Sequence, residues 1–199
     1  MRAEHSTSKR AIGARSSWNI RTPRRVYLYE AKSGVGGDTM RRHTVLAGIG
    51  AGLIAGVVFG VIMQVLTAPT PEGARMPMMA MVAKVVRSDS VLVGWLYHLF
   101  NSAVIGAIFG WIGGHIEKYA HGLGWGALYG AVWWVIGGLV LMPVFLGMPA
   151  LAPLMMPPMR PVAMGSLVGH LTYGLILGAV YVGFLRRSAT PATHLRRAA

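Results

Sequence analysis

The sequence predicts an all-α integral membrane four-helix bundle built from two repeated two-helix hairpins. Three observations carry that expectation. Four apolar stretches are each long enough to cross a bilayer, glycines recur inside them at intervals of four, and one phrase is written twice. Residues 98–109 read HLFNSAVIGAIF and residues 170–181 read HLTYGLILGAVY, so His98, Leu99, Gly106 and Ala107 fall on His170, Leu171, Gly178 and Ala179.

Composition agrees with a membrane class. The 199 residues are 54% hydrophobic and 13% charged, with 27 glycines and no cysteine. A soluble domain of this length carries more charge, and glycine is frequent where membrane helices pack. Without cysteine there is neither a disulfide nor a thiolate metal site, so a metal or haem would need His, Met or carboxylate ligands. The formal net charge of +13 resembles a nucleic-acid signal until its location is read. Ten of the 19 Lys and Arg lie in residues 1–43 and four in residues 186–197, which leaves five for the middle of the chain. Basic tails on an apolar body meet anionic lipid headgroups, at about 1 kcal/mol per Lys or Arg near the surface, and not nucleic acid.

Residues 1–43 read as a disordered basic tail, because no apolar period of 2 or 3.6 runs through STSKR, RSS, TPRR and KSGVGG. A start of translation at Met40 is an alternative reading of the same stretch. The first span, 44–66, contains no charged residue and extends about 34 Å as a helix. Gly48, Gly52, Gly56 and Gly60 form a glycine zipper along one face, which lets another backbone approach closely. Residues 67–90 open with a proline turn and continue as MPMMAMVAKVVRSD, either an interfacial helix with Lys84 and Arg87 outward or an ordinary loop.

In the second span, 91–114, His98, Ser102, Gly106, Gly110 and Gly114 follow at intervals of four, which puts the histidine at one end of a small-residue ridge. HIEKYAH is so short that spans two and three are antiparallel neighbours. The third span, 122–147, has Gly122, Gly126 and Gly130 on one face, and Gly52 and Gly56 align with Gly126 and Gly130. Trp133 and Trp134 lie mid-span, away from the interfacial belt, so at least one is packed between helices. Pro143 bends or ends this helix. A proline-methionine connector, 148–162, leads to the fourth span, 163–185, where Ser166, His170, Gly174 and Gly178 repeat the polar-then-small ridge. Residues 186–199 are a second basic tail.

The basic residues divide fifteen to four between the two sides of the predicted membrane, which by the positive-inside rule places both termini in the cytoplasm. Both connectors and the histidine ends of their spans then face outward. Two hairpins in this arrangement are a parallel repeat with an axis along the membrane normal.

An ionisable residue on a buried membrane face is a functional candidate, because leaving it unpaired costs free energy. Four readings of His98 and His170 compete. As fasteners, they donate to a backbone carbonyl or to Ser102, Asn101, Thr172 or Tyr173 on a neighbouring helix. As haem ligands, they hold a haem b between facing helices. As copper ligands, they join Met76, Met78, Met79, Met81, Met155, Met156 and Met159, a soft set suited to Cu(I), although methionine also fills gaps. As transport stations, they form a relay with Gln64 and Asn101, since the spans contain no carboxylate. No cofactor is predicted ahead of these alternatives, and GxSxG, P-loop, HExxH and CxxC motifs are absent, so no enzyme activity is expected. More small-residue faces exist than one bundle must use, which points to a homo-oligomer.

The order of a glycine-rich span, an MPVFLGMP connector and SLVGHLTYG at the start of the last span, preceded by GWLYHLFNS, resembles the YagU-like group of uncharacterised bacterial inner-membrane proteins. The resemblance covers roughly residues 44–185 and rests on Gly169-His170-Leu171 and His98. It departs in the short, methionine-rich connectors. It implies a multi-pass protein of the bacterial inner membrane and carries no activity with it. The expectation is therefore a non-enzymatic membrane protein whose histidines fasten the bundle, with small-solute or ion transport as the alternative and haem or copper binding behind that.

Overall fold

Four long apolar helices make this a multi-pass membrane protein, and they lie where hydropathy places them: Gly37–Val65, Val91–Gly113, Tyr119–Phe145 and Pro157–Ser188. The computed structural model describes residues 24–70 and 73–189, with side chains over 37–70 and 73–188. The chain divides into residues 1–37 and residues 38–199, and the second unit holds the bundle.

The elements in order are α1 (Arg24–Val65), β1 (Thr67–Pro69), β2 (Arg75–Pro77), α2 (Met78–Val85), α3 (Val91–Gly113), α4 (Tyr119–Trp133), a π-helical segment Trp134–Leu141, α5 (Met142–Phe145), α6 (Ala152–Met155), a 3-10 turn Pro157–Met159 and α7 (Arg160–Ala189). The expected irregular tail up to residue 43 is thus helical from Arg24 onward, because extending an existing helix fixes one residue per hydrogen bond, without the cost of a new nucleus. Residues 1–23 and 190–199, which hold the rest of both tails, lie outside the described residues.

Bare backbones set the helix pairs. On α1, a Cβ added to Gly48 would run into the Gly106 carbonyl, one at Gly52 into the Ser102 carbonyl and one at Gly56 into the Ser102 side chain. The order reverses along α3, so α1 and α3 are antiparallel. Gly122 meets Gly178, Gly126 meets the Gly174 carbonyl and Gly130 meets the His170 carbonyl, so α4 and α7 are antiparallel as well. Gly110 lies against the Thr44 carbonyl and Gly60 against the Trp95 ring. With no hydrophobic drive between helices in lipid, van der Waals contact of this closeness is what holds such pairs.

Three tyrosines tie the pairs together. Tyr129 donates to the Ile105 carbonyl at 2.7 Å, Tyr173 to the Ser102 carbonyl at 3.0 Å, and Tyr181 to the Gly114 carbonyl. All three carbonyls belong to α3 or its immediate end. The Ile105 and Ser102 carbonyls lie inside the helix, yet a carbonyl has two lone pairs and accepts again. Phe109 packs against both Tyr129 and Tyr181, with ring centroids 5.2 and 5.3 Å away, and fills the end of the bundle remote from the connectors.

The connectors fold over the other end. β1 and β2 form a two-stranded antiparallel hairpin with Ala68 opposite Met76, turned through Gly73 at φ 82, and Met78 N–H donates to the Leu66 carbonyl at 2.8 Å. In α2, Met78, Met79, Val82 and Ala83 are buried, while Lys84 points outward and pairs with Asp89, which holds that carboxyl below its ordinary range.

Pro143 explains the π-helical segment. Proline has no N–H to give to the carbonyl four residues earlier, Leu139, and its ring crowds that oxygen. The Leu139 carbonyl instead accepts from the Leu151 N–H at 2.7 Å, and the Met142 N–H reaches back five residues to Gly137. The helix widens by one residue per turn and continues. Pro143 itself is buried.

Candidate functional site

The widened turn stands beside the two histidines. Phe59, Met63, His98, Asn101, Ser102, Trp133, Gly137, Gly138, Ser166, His170 and Tyr173 line one cavity of about 360 Å³ between the helix pairs, which α2 closes at the connector end with Met78, Val82 and Val85. That is roughly the liquid volume of a dozen waters. Val104 on α3 and Leu141 and Phe145 on the opposite wall are exposed residues that also line it, so its mouth opens sideways between α3 and the π-helical segment. In a bilayer that face meets lipid.

His98 is buried on α3, and its Nε2 lies 2.8 Å from the carbonyl of Gly56 on α1. A carbonyl only accepts, so Nε2 carries the proton and, in the neutral ring, Nδ1 carries the lone pair. His170 has the opposite arrangement. Its Nδ1 lies 2.8 Å from the Ser166 carbonyl one turn back on α7, with Ser166 Oγ at 3.3 Å, so Nδ1 is the donor and Nε2 keeps the lone pair. Phe59 stands between the rings, with centroids 5.5 Å from His98 and 4.7 Å from His170, edge-on to each.

Most other donors in the site are used on protein acceptors. Ser102 Oγ donates to the His98 carbonyl at 2.8 Å, Trp134 Nε1 to the Ala163 carbonyl at 3.1 Å, and Trp95 Nε1 to Gln64 Oε1 at 3.2 Å. Among the described residues, the fully buried side-chain polar atom lacking a partner is Thr70 Oγ1, at the hairpin and away from this cavity. His170 Nε2 and the Asn101 amide, which have no hydrogen bond, are therefore open to the cavity and not sealed in protein.

Gly137 and Gly138 make that opening. A Cβ at Gly137 would stand 3.9 Å from His170 Nε2, and one at Gly138 would stand 3.4 Å from His170 Cε1 and 3.1 Å from Ser166 Oγ. Any larger side chain at Gly137 reaches into the space before the imidazole.

The structure brings together His98, His170, Ser102 and Asn101 and leaves Gln64 on Trp95. For a haem held by both histidines, Nε2 of His98 would have to leave Gly56 and Phe59 would have to leave the gap. The methionines divide differently. Met78, Met81, Met142, Met148 and Met159 surround a small void of about 30 Å³ next to Ser166, whereas Met79 is buried against Gly94 on α3 and Met155 and Met156 are exposed. Met76 sits in β2. Among the described residues, no three His, Asp or Glu side chains gather.

Sequence reading missed the tyrosine hydroxyls, the π-helical segment and the cavity. Tyr173 and Tyr181 did carry a signal, since residues eight apart share a helix face. The Gly137-Gly138 pair ahead of Pro143 carried another. Compared with family models, curated proteins and solved structures, the chain matches none.

Proposed function

We propose that this is a non-enzymatic membrane protein that holds a small, lipid-soluble molecule in the cavity between its helix pairs. His98 acts as a fastener of the bundle and His170 as the polar group offered to the ligand. The observation that carries the reading is the unequal use of the two imidazoles: one spends its Nε2 on a neighbouring helix, and the other keeps Nε2 free at the wall of a cavity open to lipid. A largely apolar pocket of a few hundred Å³ with few polar groups is the usual form of a small-molecule site.

The test uses naphthalene, an uncharged two-ring probe, with the full chain in lipid nanodiscs and empty discs as reference. Saturable binding above the empty discs is expected, and Gly137→Leu, which fills the space before His170, lowers it at least about tenfold. Equal uptake by loaded and empty discs would sink the reading. Transport is the alternative. It needs a route past the Phe109, Tyr129 and Tyr181 cluster, and flux of a small solute into liposomes would favour it over retention.

The proposal places the chain in a bacterial inner membrane, as the resemblance over residues 44–185 implies, and puts both termini in the cytoplasm on the basis of fifteen basic residues against four. A C-terminal reporter active only outside the cytoplasm would reverse that orientation. The bundle is read as two repeated hairpins, supported by matched contacts: Gly52 on the Ser102 carbonyl and Gly106 Cα in one pair, Gly126 on the Gly174 carbonyl and Gly178 Cα in the other. The repeated phrase aligns Ser102 with Gly174 and Gly106 with Gly178, and the glycine spacing of the first and third spans aligns Gly52 with Gly126. Anionic lipids at the basic tails and a homo-oligomer complete the proposed partners.

A further inference from the structure

The unpaired groups at the cavity wall point to the chemistry of what it holds. Both imidazole protons are spent on backbone carbonyls, His98 on Gly56 and His170 on Ser166, each at 2.8 Å. The hydroxyl protons of Ser102 and Tyr173 go to the carbonyls of His98 and Ser102. What the ring nitrogens have left is lone pairs. Asn101 and Tyr97, which also line the cavity and make no hydrogen bond, can donate or accept. Ser166 Oγ, 3.3 Å from His170 Nδ1, keeps its own proton as well, but His170 Nε2, the ring atom facing Gly137, offers a lone pair alone, and a ligand that meets it there brings a donor.

The ligand is also uncharged. The residues lining the cavity include no Asp, Glu, Lys or Arg, so an ammonium group there would lack a counter-charge and an anion would lack a cation, and an unpaired charge in such a site is strongly disfavoured. The space bounds its size. A cavity of about 150 Å³ accommodates benzene, so about 360 Å³ takes a body of roughly two fused rings or an equivalent branched chain. Entry is from the lipid, between Val104 and Phe145.

We infer that the cavity binds a neutral, membrane-soluble alcohol or phenol, whose hydroxyl donates to Nε2 of His170 while its apolar body lies against Phe59, Trp133 and Met63. This rests on the reading of the cavity as a ligand site and adds the class of ligand. It gives Gly137 and Gly138 a purpose as well. They keep the approach to Nε2 clear, which any side chain with a Cγ would narrow.

The experiment compares 1-naphthol with 1-methoxynaphthalene on the unaltered full chain in nanodiscs, each corrected for partition into empty discs. The two share a ring system and differ in the donor proton. Naphthol is expected to bind about tenfold more tightly, the scale of one buried hydrogen bond gained against one acceptor left unpaired. His170→Leu should bring naphthol to the level of methoxynaphthalene and leave methoxynaphthalene where it was. Gly137→Leu should weaken both. Equal binding of the two probes to the unaltered chain, with both lost in Gly137→Leu, overturns the alcohol or phenol assignment and keeps the cavity as a site for apolar molecules. No binding of either probe above empty discs overturns the assignment together with the ligand-site reading. The probe comparison needs no variant, so a failure of His170→Leu to fold does not blunt it.

Discussion

Gly126→Ala should loosen the bundle by about 1–3 kcal/mol, and Gly126→Leu should prevent its assembly. The same changes at Gly124, two residues away, should leave stability unaltered or slightly raised, since alanine is the better helix former. The difference is in what a side chain would meet. At Gly126 a Cβ runs into the Gly174 carbonyl and stands 3.2 Å from Gly178 Cα, whereas at Gly124 nothing lies within 4 Å. Backbone atoms cannot rotate away as the end of a long side chain can, so α4 and α7 would have to separate along their length. Gly52→Leu is the corresponding change in the other pair, where Gly106 Cα would stand 2.9 Å from the new Cβ. Unfolding midpoints in mild detergent, read by the mobility or fluorescence of the purified protein, check the set. Equal midpoints for the alanine variants at 124 and 126 would mean that close backbone contact is not what holds the pair.

Phe59→Ala should be the most damaging truncation at the site, with an expected loss of about 2–3 kcal/mol. Phenylalanine to alanine in a packed core costs about 3–5 kcal/mol. The loss falls below that range here, because lipid removes most of the hydrophobic part and leaves the lost packing. Phe59 is 6% exposed, touches both imidazoles edge-on and lies against Gly169, where its Cδ2 would be 2.7 Å from an added Cβ. Removing the ring enlarges the cavity between His98 and His170. Phe59→Ala should therefore bind a larger aromatic probe, such as anthracene, better than naphthalene, the reverse of the unaltered chain. Phe59→Leu, which retains most of the volume, should lose less than half as much stability. An unchanged order of probe affinities in Phe59→Ala would show that Phe59 does not limit the cavity.

Much of the fold was legible because membrane spans are written in composition. Apart from the Leu139 carbonyl that Pro143 leaves to the Leu151 N–H, the interiors of the four long helices satisfy their own backbone hydrogen bonds, so length and hydropathy locate them. Glycines at intervals of four were legible for a related reason: in a helix they share a face, and a face without side chains is where a neighbour comes closest. Gly48, Gly52 and Gly56 read straight onto Gly106 and Ser102 of α3. The site was less legible. His98 and His170 were visible as a pair, but which ring nitrogen keeps its lone pair depends on the carbonyl within reach, and a repeated HL cannot distinguish Gly56 across a helix interface from Ser166 one turn back on the same helix.

The connectors show the same limit. Methionine and proline at 76–81 and 148–159 carry no period from which packing can be read, and thioethers fit many surfaces. Their burial was decided by which strand and turn met: Met78 N–H on the Leu66 carbonyl, Leu151 N–H on the Leu139 carbonyl that Pro143 leaves free.

The sequence by itself determined the number of spans, their approximate places and the small-residue faces along which they approach, because each follows from local composition and the period of a helix; the first and last helices begin several residues earlier than hydropathy alone marks. Tertiary structure alone decided that both histidines face one cavity, that only His170 keeps Nε2 free, and that a π-helical turn ahead of Pro143 opens the space before it. Those features depend on hydrogen bonds between residues up to 42 positions apart and on the volume left between packed helices, neither of which a local pattern encodes.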